Sequence, residues 1–169
     1  MEEWKGGKAQ FVSDNILHLM RGQVFDLEGV RLFSFGGARS HDIPDGILDP
    51  AAENFKAEFR RLSRKKALFR VKHVSWWEEE MPNAEEMEEG RQNLAKHQGQ
   101  VDFIVTHCAA SSVQDRFSGG LFQADPLTDY LEELRQACRY KRWFFGHYHD
   151  NRTVTERDWM LYEQIIRIV

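Results

Sequence analysis

Two short apolar runs with a helical pattern between them limit the fold of this chain more than any other feature. They are VDFIVTHC at residues 101–108 and RWFFGHYH at residues 142–149, and each is long enough for one buried strand. Between them, Asp125 followed by Pro126 is a typical helix start, and apolar residues then recur on one helical face. That face is predicted to hold Leu127, Tyr130, Leu131, Leu134 and Cys138. A strand, a helix and a second strand in this order favour an α/β layer.

The flanking segments add further predicted elements. The runs NILHLM, QVFDLE and VRLFSFGG predict a three-stranded meander, with a tight turn at Glu28 and Gly29. Residues 50–62 have helical spacing, and Asn83 with Glu86 is a capping-box signature for another helix that Gly99 closes. Residues 153–169 are expected to form a closing hairpin that turns near Arg157 and Asp158. The fold class is therefore α/β or α+β, in a single domain over residues 1–169.

Composition excludes a disordered tail and a membrane protein. Hydrophobic residues make up 41% of the chain and charged residues 30%, and no apolar run approaches the ~20 residues of a membrane-spanning helix. A formal charge of −4 gives no indication of nucleic-acid binding through the overall field. The first residues do not resemble a signal peptide, and the two cysteines sit in apolar segments, so we expect a cytoplasmic protein with reduced thiols.

Three histidines occupy positions where apolar strands give way to polar loops. His107 follows the first run, and His147 and His149 end the second. In a regular strand, residues two apart face the same side, so His147 and His149 could bind one metal ion; if the chain turns there, they could serve two neighbouring ions. Zinc, manganese and iron bind neutral imidazole and need three or more ligands. Taken singly, each histidine is more often bonded to the backbone than to a metal.

The motifs IVTHC and FFGHYHDN together resemble the last two motifs of the calcineurin-like metallophosphoesterases, a likeness that extends to FSFGGARSHD, SWWEEEMP, LTDYLEEL and LYEQIIRI. The resemblance implies a β-sandwich flanked by helices and two divalent ions (manganese, iron or zinc) that hydrolyse phosphoric esters. By carry-over, His107 and His147 would bind one ion and His149 the other.

The same resemblance implies that the domain is incomplete. The earlier family motifs Asp-x-His, Gly-Asp and Gly-Asn-His do not occur in the sequence. The chain therefore looks like the C-terminal part of a bacterial phosphoesterase domain, without the bridging carboxylate and the general acid. We expect it to be inactive by itself.

Other residues suggest roles that the sequence leaves open. Arg39 and His41 follow Gly36 and Gly37, where they could approach a substrate phosphate or belong to a structural turn. Arg152 could pair with the same phosphate or remain a surface arginine. Asp150 and Asn151 could orient a ligand histidine or cap the next turn.

Two further functional classes remain as alternatives. One is a degenerate, non-enzymatic phosphoesterase-like module for interaction or metal binding. The other is a zinc hydrolase that uses one ion and three histidines. Because VRLFSF and DFIVTHC would lose covering elements in an incomplete domain, we also expect a homo-oligomer in which a second copy covers them.

Overall fold

The protein has mixed α/β content, as predicted, and its structure, a computed structural model, describes residues 1–168. Short strands dominate the first 35 residues, and strands and helices alternate through most of the rest. The helices are α1 (Phe55–Arg64), α2 (Ala84–Lys96), α3 (Ser111–Ser118) and α4 (Pro126–Ala137), with a short 3₁₀ helix at Glu78–Glu80. The strands are β1 (Glu2–Trp4), β2 (Gly7–Ser13), β3 (Ile16–Leu19), β4 (Gln23–Leu27), β5 (Val30–Phe35), β6 (Ile47–Leu48), β7 (Arg70–Val71), β8 (Phe103–Thr106), β9 (Arg142–Phe145), β10 (Arg152–Thr153) and β11 (Asp158–Met160).

The described residues form two compact units. One contains Met1–Ala38 together with the chain from Pro82 onward, and the other contains Arg39–Met81. The smaller unit holds α1 and the parallel pair β6–β7, and an aromatic cluster of Phe55, Phe59 and Phe69 packs within it. Whether the whole chain acts as one domain, as the sequence predicts, stays a prediction.

The larger unit is built on a six-stranded sheet of order β10-β11-β9-β8-β5-β4. Strands β5, β8, β9 and β11 run parallel, whereas β4 and β10 are antiparallel to their neighbours. The central strands are apolar almost throughout because both faces of the sheet are covered. A second sheet of order β1-β2-β3 lies in the same unit.

Each face of the six-stranded sheet has its own packing partner. On one face, Phe35 of β5 contacts Tyr130 of α4 at a ring distance of 4.9 Å, and Phe117 of α3 stacks near Phe145 at 6.1 Å. On the other face, a buried cluster packs against Trp4, Leu17 and Leu19 of the small sheet; its members are Ala9, Phe25, Leu32, Phe103 and Phe144. The sheet is thus the middle layer of the larger unit.

Both predicted helix starts are confirmed. The Asn83 side chain accepts a hydrogen bond from the Glu86 N–H at 2.9 Å, and Glu86 accepts one from the Asn83 N–H at 2.9 Å. At α4, Asp125 Oδ1 accepts from the N–H groups of Leu127 and Thr128. Each cap satisfies N–H groups that have no partner inside the helix.

Two predictions about elements were wrong in part, and some elements were not predicted. The run containing β3 does not continue into β4 as a meander, because β3 pairs with β2 in the other sheet, and β1 and β2 were not predicted at all. Helix α3 was also missed. The closing hairpin exists as β10–β11, but its turn covers residues 154–157, and Asp158 already lies in β11.

The position of β5 and β8 bears on the expected self-association. Both strands have hydrogen-bonded neighbours on both sides, so neither VRLFSF nor DFIVTHC offers an open edge to a second copy. This excludes edge pairing through these two strands, while the homo-oligomer itself stays a prediction. Within residues 1–168 no helix is long and apolar enough to cross a membrane.

Candidate histidine site at the carboxyl ends of two strands

The parallel pairing of β8 and β9 brings His107 and His147 together. Thr106 is paired with Phe145 at the last position of the two strands, so the residues that follow leave the sheet at the same edge. The Gly146 N–H donates a hydrogen bond to the His107 carbonyl at 3.1 Å, which ties the two loops to each other. The imidazole rings of His107 and His147 then lie 5.0 Å apart, centroid to centroid, with an angle of 66° between their planes.

A short chain of hydrogen bonds fixes the turn that follows β8. The buried Trp143 indole donates to Thr106 Oγ1 at 2.8 Å, and the Thr106 hydroxyl donates to the Cys108 carbonyl at 2.5 Å. The His107 N–H donates to the Phe35 carbonyl at 3.3 Å. Because β5, β8 and β9 all contribute, these hydrogen bonds fix the backbone of His107 at the end of β8.

His147 and His149 are not on a regular strand. Strand β9 ends at Phe145, and both histidines have a positive φ, 69° at His147 and 52° at His149. Single non-glycine residues adopt this left-handed region rarely. The rule that residues two apart face the same side therefore does not apply here, and the chain turns between the two rings.

His149 has a different neighbour from the other two histidines. Its ring stacks on Tyr162 at 4.9 Å and 29°, and its side chain is exposed. His107 is also exposed, whereas His147 is half-buried. Among residues 1–168, no group of three or more histidine, cysteine or acidic side chains is arranged to hold a metal ion.

Tyr148 was not predicted to matter, yet it anchors the loop that carries the two histidines. Its hydroxyl donates to Gln114 Oε1 at 2.9 Å and accepts from the Ala109 N–H at 3.4 Å. Its ring packs against Phe117 at 4.6 Å. Burial raises the pKa of the Tyr148 hydroxyl well above its usual value, so Tyr148 is a neutral anchor. In the sequence, the signal for this anchor was an aromatic residue between the two histidines of GHYHD.

Asp150 and Asn151 both accept hydrogen bonds from the backbone, and Asp150 also forms an ion pair with Arg152. Asp150 Oδ1 accepts from the Asn151 N–H at 2.8 Å, and Asn151 Oδ1 accepts from the N–H groups of Tyr162 and Glu163 at 2.8 and 3.2 Å. These bonds hold the segment that places Tyr162 beside His149. They match the turn interpretation, and a role for Asp150 or Asn151 in orienting a ligand histidine stays a prediction.

The three predicted phosphate-binding residues lie in different settings. Arg152 is exposed, forms an ion pair with Asp150 at 3.1 Å, and donates to the Phe117 carbonyl at 3.4 Å. Arg39 and His41 lie at the start of the unit formed by Arg39–Met81, and both are exposed. Gly37 just before them has a φ of 119°, which suits the predicted turn. Their contact with a substrate stays a prediction.

Two neighbouring imidazoles can act as nitrogen ligands, but an ion is held firmly only by three or more. The described residues thus fit part of a metal site and not a complete one. Comparisons of this chain with protein-family models, with curated proteins and with solved structures gave no match.

Proposed function

We propose that this chain is the C-terminal portion of a di-metal phosphoesterase domain that hydrolyses phosphoric esters, and that it is inactive by itself. The observation that supports this proposal is the His107–His147 pair. Two histidines from separate apolar strands meet at one sheet edge with their rings 5.0 Å apart. Strand carboxyl ends are where α/β folds commonly place their sites.

The proposal assigns each histidine a limited task. His107 and His147 would supply nitrogen ligands to one divalent ion, and His149 to a second; manganese, iron and zinc all accept such ligands. A complete site would use two such ions to polarise a phosphate and to lower the pKa of bound water. The described residues hold too few ligands for this, so a di-metal site needs further ligands beyond the three histidines.

In the larger unit, Arg152 is the proposed contact to the substrate phosphate; a phosphate contact by Arg39 or His41 of the other unit stays a prediction. Guanidinium groups suit phosphate because they donate paired hydrogen bonds in one plane. To bind substrate in this way, Arg152 must exchange its present partner Asp150 for the phosphate.

The proposed compartment is the cytoplasm. Both cysteines, Cys108 and Cys138, are thiols, and they form no disulfide with each other. Thiols of this kind are usual in a reducing environment.

Metal binding and turnover test the proposal. With manganese or zinc, the chain alone should bind at most one ion, and that weakly, and should not hydrolyse bis-p-nitrophenyl phosphate. His107→Ala and His147→Ala should abolish that binding, whereas His18→Ala should not, because His18 lies exposed on β3. Calorimetry and a release assay measure the two quantities.

Adding the polypeptide encoded upstream in frame should produce phosphoesterase activity that depends on His107 and His147. An upstream frame without the Asp-x-His and Gly-Asn-His motifs would contradict the proposal and favour a non-enzymatic module. Turnover by the chain alone with one zinc bound would favour the three-histidine hydrolase instead.

A further inference from the structure

Three arginines from three separate elements converge on one cavity of the larger unit. Arg116 comes from α3, Arg135 from α4 and Arg157 from the turn between β10 and β11. Thr155 and Glu156 of the same turn complete the lining of a cavity of about 380 Å³. No sequence pattern pointed to this grouping, because the three residues are distant along the chain.

Two of the three guanidinium groups are held in place by other residues. Arg135 Nη2 lies 3.0 Å from Asp158 Oδ2, and this carboxylate, only 1% exposed, also accepts hydrogen bonds from Tyr140 and Thr155. The Arg157 guanidinium lies 4.8 Å from the centre of the Tyr140 ring, in cation–π contact. A binding site whose cations are already positioned loses less side-chain entropy when a ligand arrives.

The arginines that line the cavity have positive charge available for a bound anion. The Asp158 carboxylate is already occupied by Arg135, Tyr140 and Thr155. Within residues 1–168, Arg116 and Arg157 form no ion pair. Glu156 is the one acidic side chain in the lining.

The cavity is separate from the histidine pair. Asp158 is in register with Trp143 near the start of β9, whereas His147 follows the end of that strand. Parallel strands rise ~3.3 Å per residue, so the two places lie roughly 10 Å or more apart along the sheet. The lining of the cavity also shares no residue with the histidine pair.

We propose that this arginine pocket, formed by Arg116, Arg135, Thr155, Glu156 and Arg157, binds a phosphate group, either as inorganic phosphate or as the phosphoryl group of a small ligand. Arginine is well suited to phosphate because its planar donors match the phosphate oxygens. The volume lies at the lower end of the range for small-molecule sites, which leaves room for a phosphate with a small attached group. This second site does not depend on the proposed phosphoesterase activity.

Calorimetric titration tests the proposal, with inorganic phosphate and phenyl phosphate at constant ionic strength and with a chelator present to remove metal ions. Binding should be lowered roughly tenfold by Arg116→Gln and by Arg157→Gln, since a charge-assisted hydrogen bond is lost in each. Arg135 is not substituted, because its loss would leave the buried Asp158 carboxylate without its ion-pair partner. The matched control is Arg60→Gln, an exposed arginine of α1.

Substitution of Glu156, the acidic residue of the lining, should tighten phosphate binding and not weaken it. Glu156→Gln removes the acidic side chain of the lining, which would repel a bound anion, so phosphate should bind several-fold more tightly to this variant. Circular dichroism of each variant confirms that it is folded. Tighter binding of phenyl phosphate than of inorganic phosphate would assign the site to a phosphorylated ligand, and equal or weaker binding would assign it to phosphate itself.

Three results would overturn the proposal. The first is no detectable binding at about 10 mM phosphate, which corresponds to a Kd weaker than the millimolar range. The second is an equal loss of binding in the Arg60→Gln control, which would reveal a general charge effect. The third is binding that survives in both arginine variants but disappears in His107→Ala, which would move the anion to the histidine pair.

Discussion

Gly90 of α2 and Tyr130 of α4 are so close that a side chain at position 90 has no room. A Cβ atom on Gly90 would lie 2.3 Å from the Tyr130 hydroxyl oxygen, and this buried hydroxyl has no hydrogen-bond partner among residues 1–168. Tyr130 itself is only 3% exposed, so it cannot easily swing away. The contact sets how closely the two helices pack.

Gly90→Ala should lower the free energy of unfolding by ~1–3 kcal/mol, because overpacking outweighs the better helix propensity of alanine. Tyr130→Phe should be neutral or slightly stabilising, since it removes a buried hydroxyl to which no described residue is hydrogen-bonded. The double variant should recover most of the loss. Urea unfolding of all four proteins gives the coupling energy, and strictly additive effects would contradict the contact.

Asp158→Asn should be strongly destabilising. The carboxylate is buried and serves Arg135, Tyr140 and Thr155 at once, so its neutralisation leaves a partly buried guanidinium without its counter-charge. We expect a loss of about 3–5 kcal/mol in urea unfolding. Asp14→Asn, in the exposed turn between β2 and β3, is the control and should change stability by less than ~0.5 kcal/mol. Similar values for both variants would contradict the role of Asp158.

Asp102 should give a pH-dependent contribution to stability. The Lys141 ammonium, 2.6 Å away, and the Arg31 N–H at 2.8 Å lower the pKa of the Asp102 carboxyl below its usual 3.8. The folded state then binds fewer protons than the unfolded state near that pH. The contribution is therefore complete above the usual value of 3.8 and is lost as the pH falls through the lower pKa of the folded state.

The comparison with Asp102→Asn measures this contribution. Since Lys141 is largely exposed, the stability difference from the unchanged protein should be only ~0.5–1 kcal/mol at neutral pH. It should shrink toward zero in acid. A difference that grows on acidification would show that the sign is wrong.

The predicted homo-oligomer can be tested at the β2–β3 hairpin. Phe11, Val12 and Ile16 are 50%, 61% and 59% exposed there, which makes this hairpin a candidate surface now that edge pairing through β5 and β8 is excluded. Phe11→Ser with Ile16→Ser should lower the mass measured by light scattering at micromolar concentration. Val74→Ser, at a residue 67% exposed in the smaller unit, should not. A monomer before any substitution would contradict self-association.

Local interactions explain what could be predicted of the fold. The starts of α2 and α4 were predicted because Asn83 and Asp125 bond to N–H groups two or three residues away. The central strands were predicted because parallel strands buried on both faces need continuous apolar runs. Helix α3 begins after Ala110, which offers no side-chain cap, so its start carried no local signal.

For the candidate site, the sequence by itself determined that His107 and His147 would each follow an apolar strand. That β8 and β9 are adjacent, which brings the two rings to 5.0 Å, was decided by sheet pairing between segments some 40 residues apart. The tertiary structure alone decided the place of His149, because Asn151 binds the backbone at Tyr162 and Glu163 and so sets Tyr162 against its ring. A two-residue spacing fixes a common face only while the strand continues, and here the chain turns at His147.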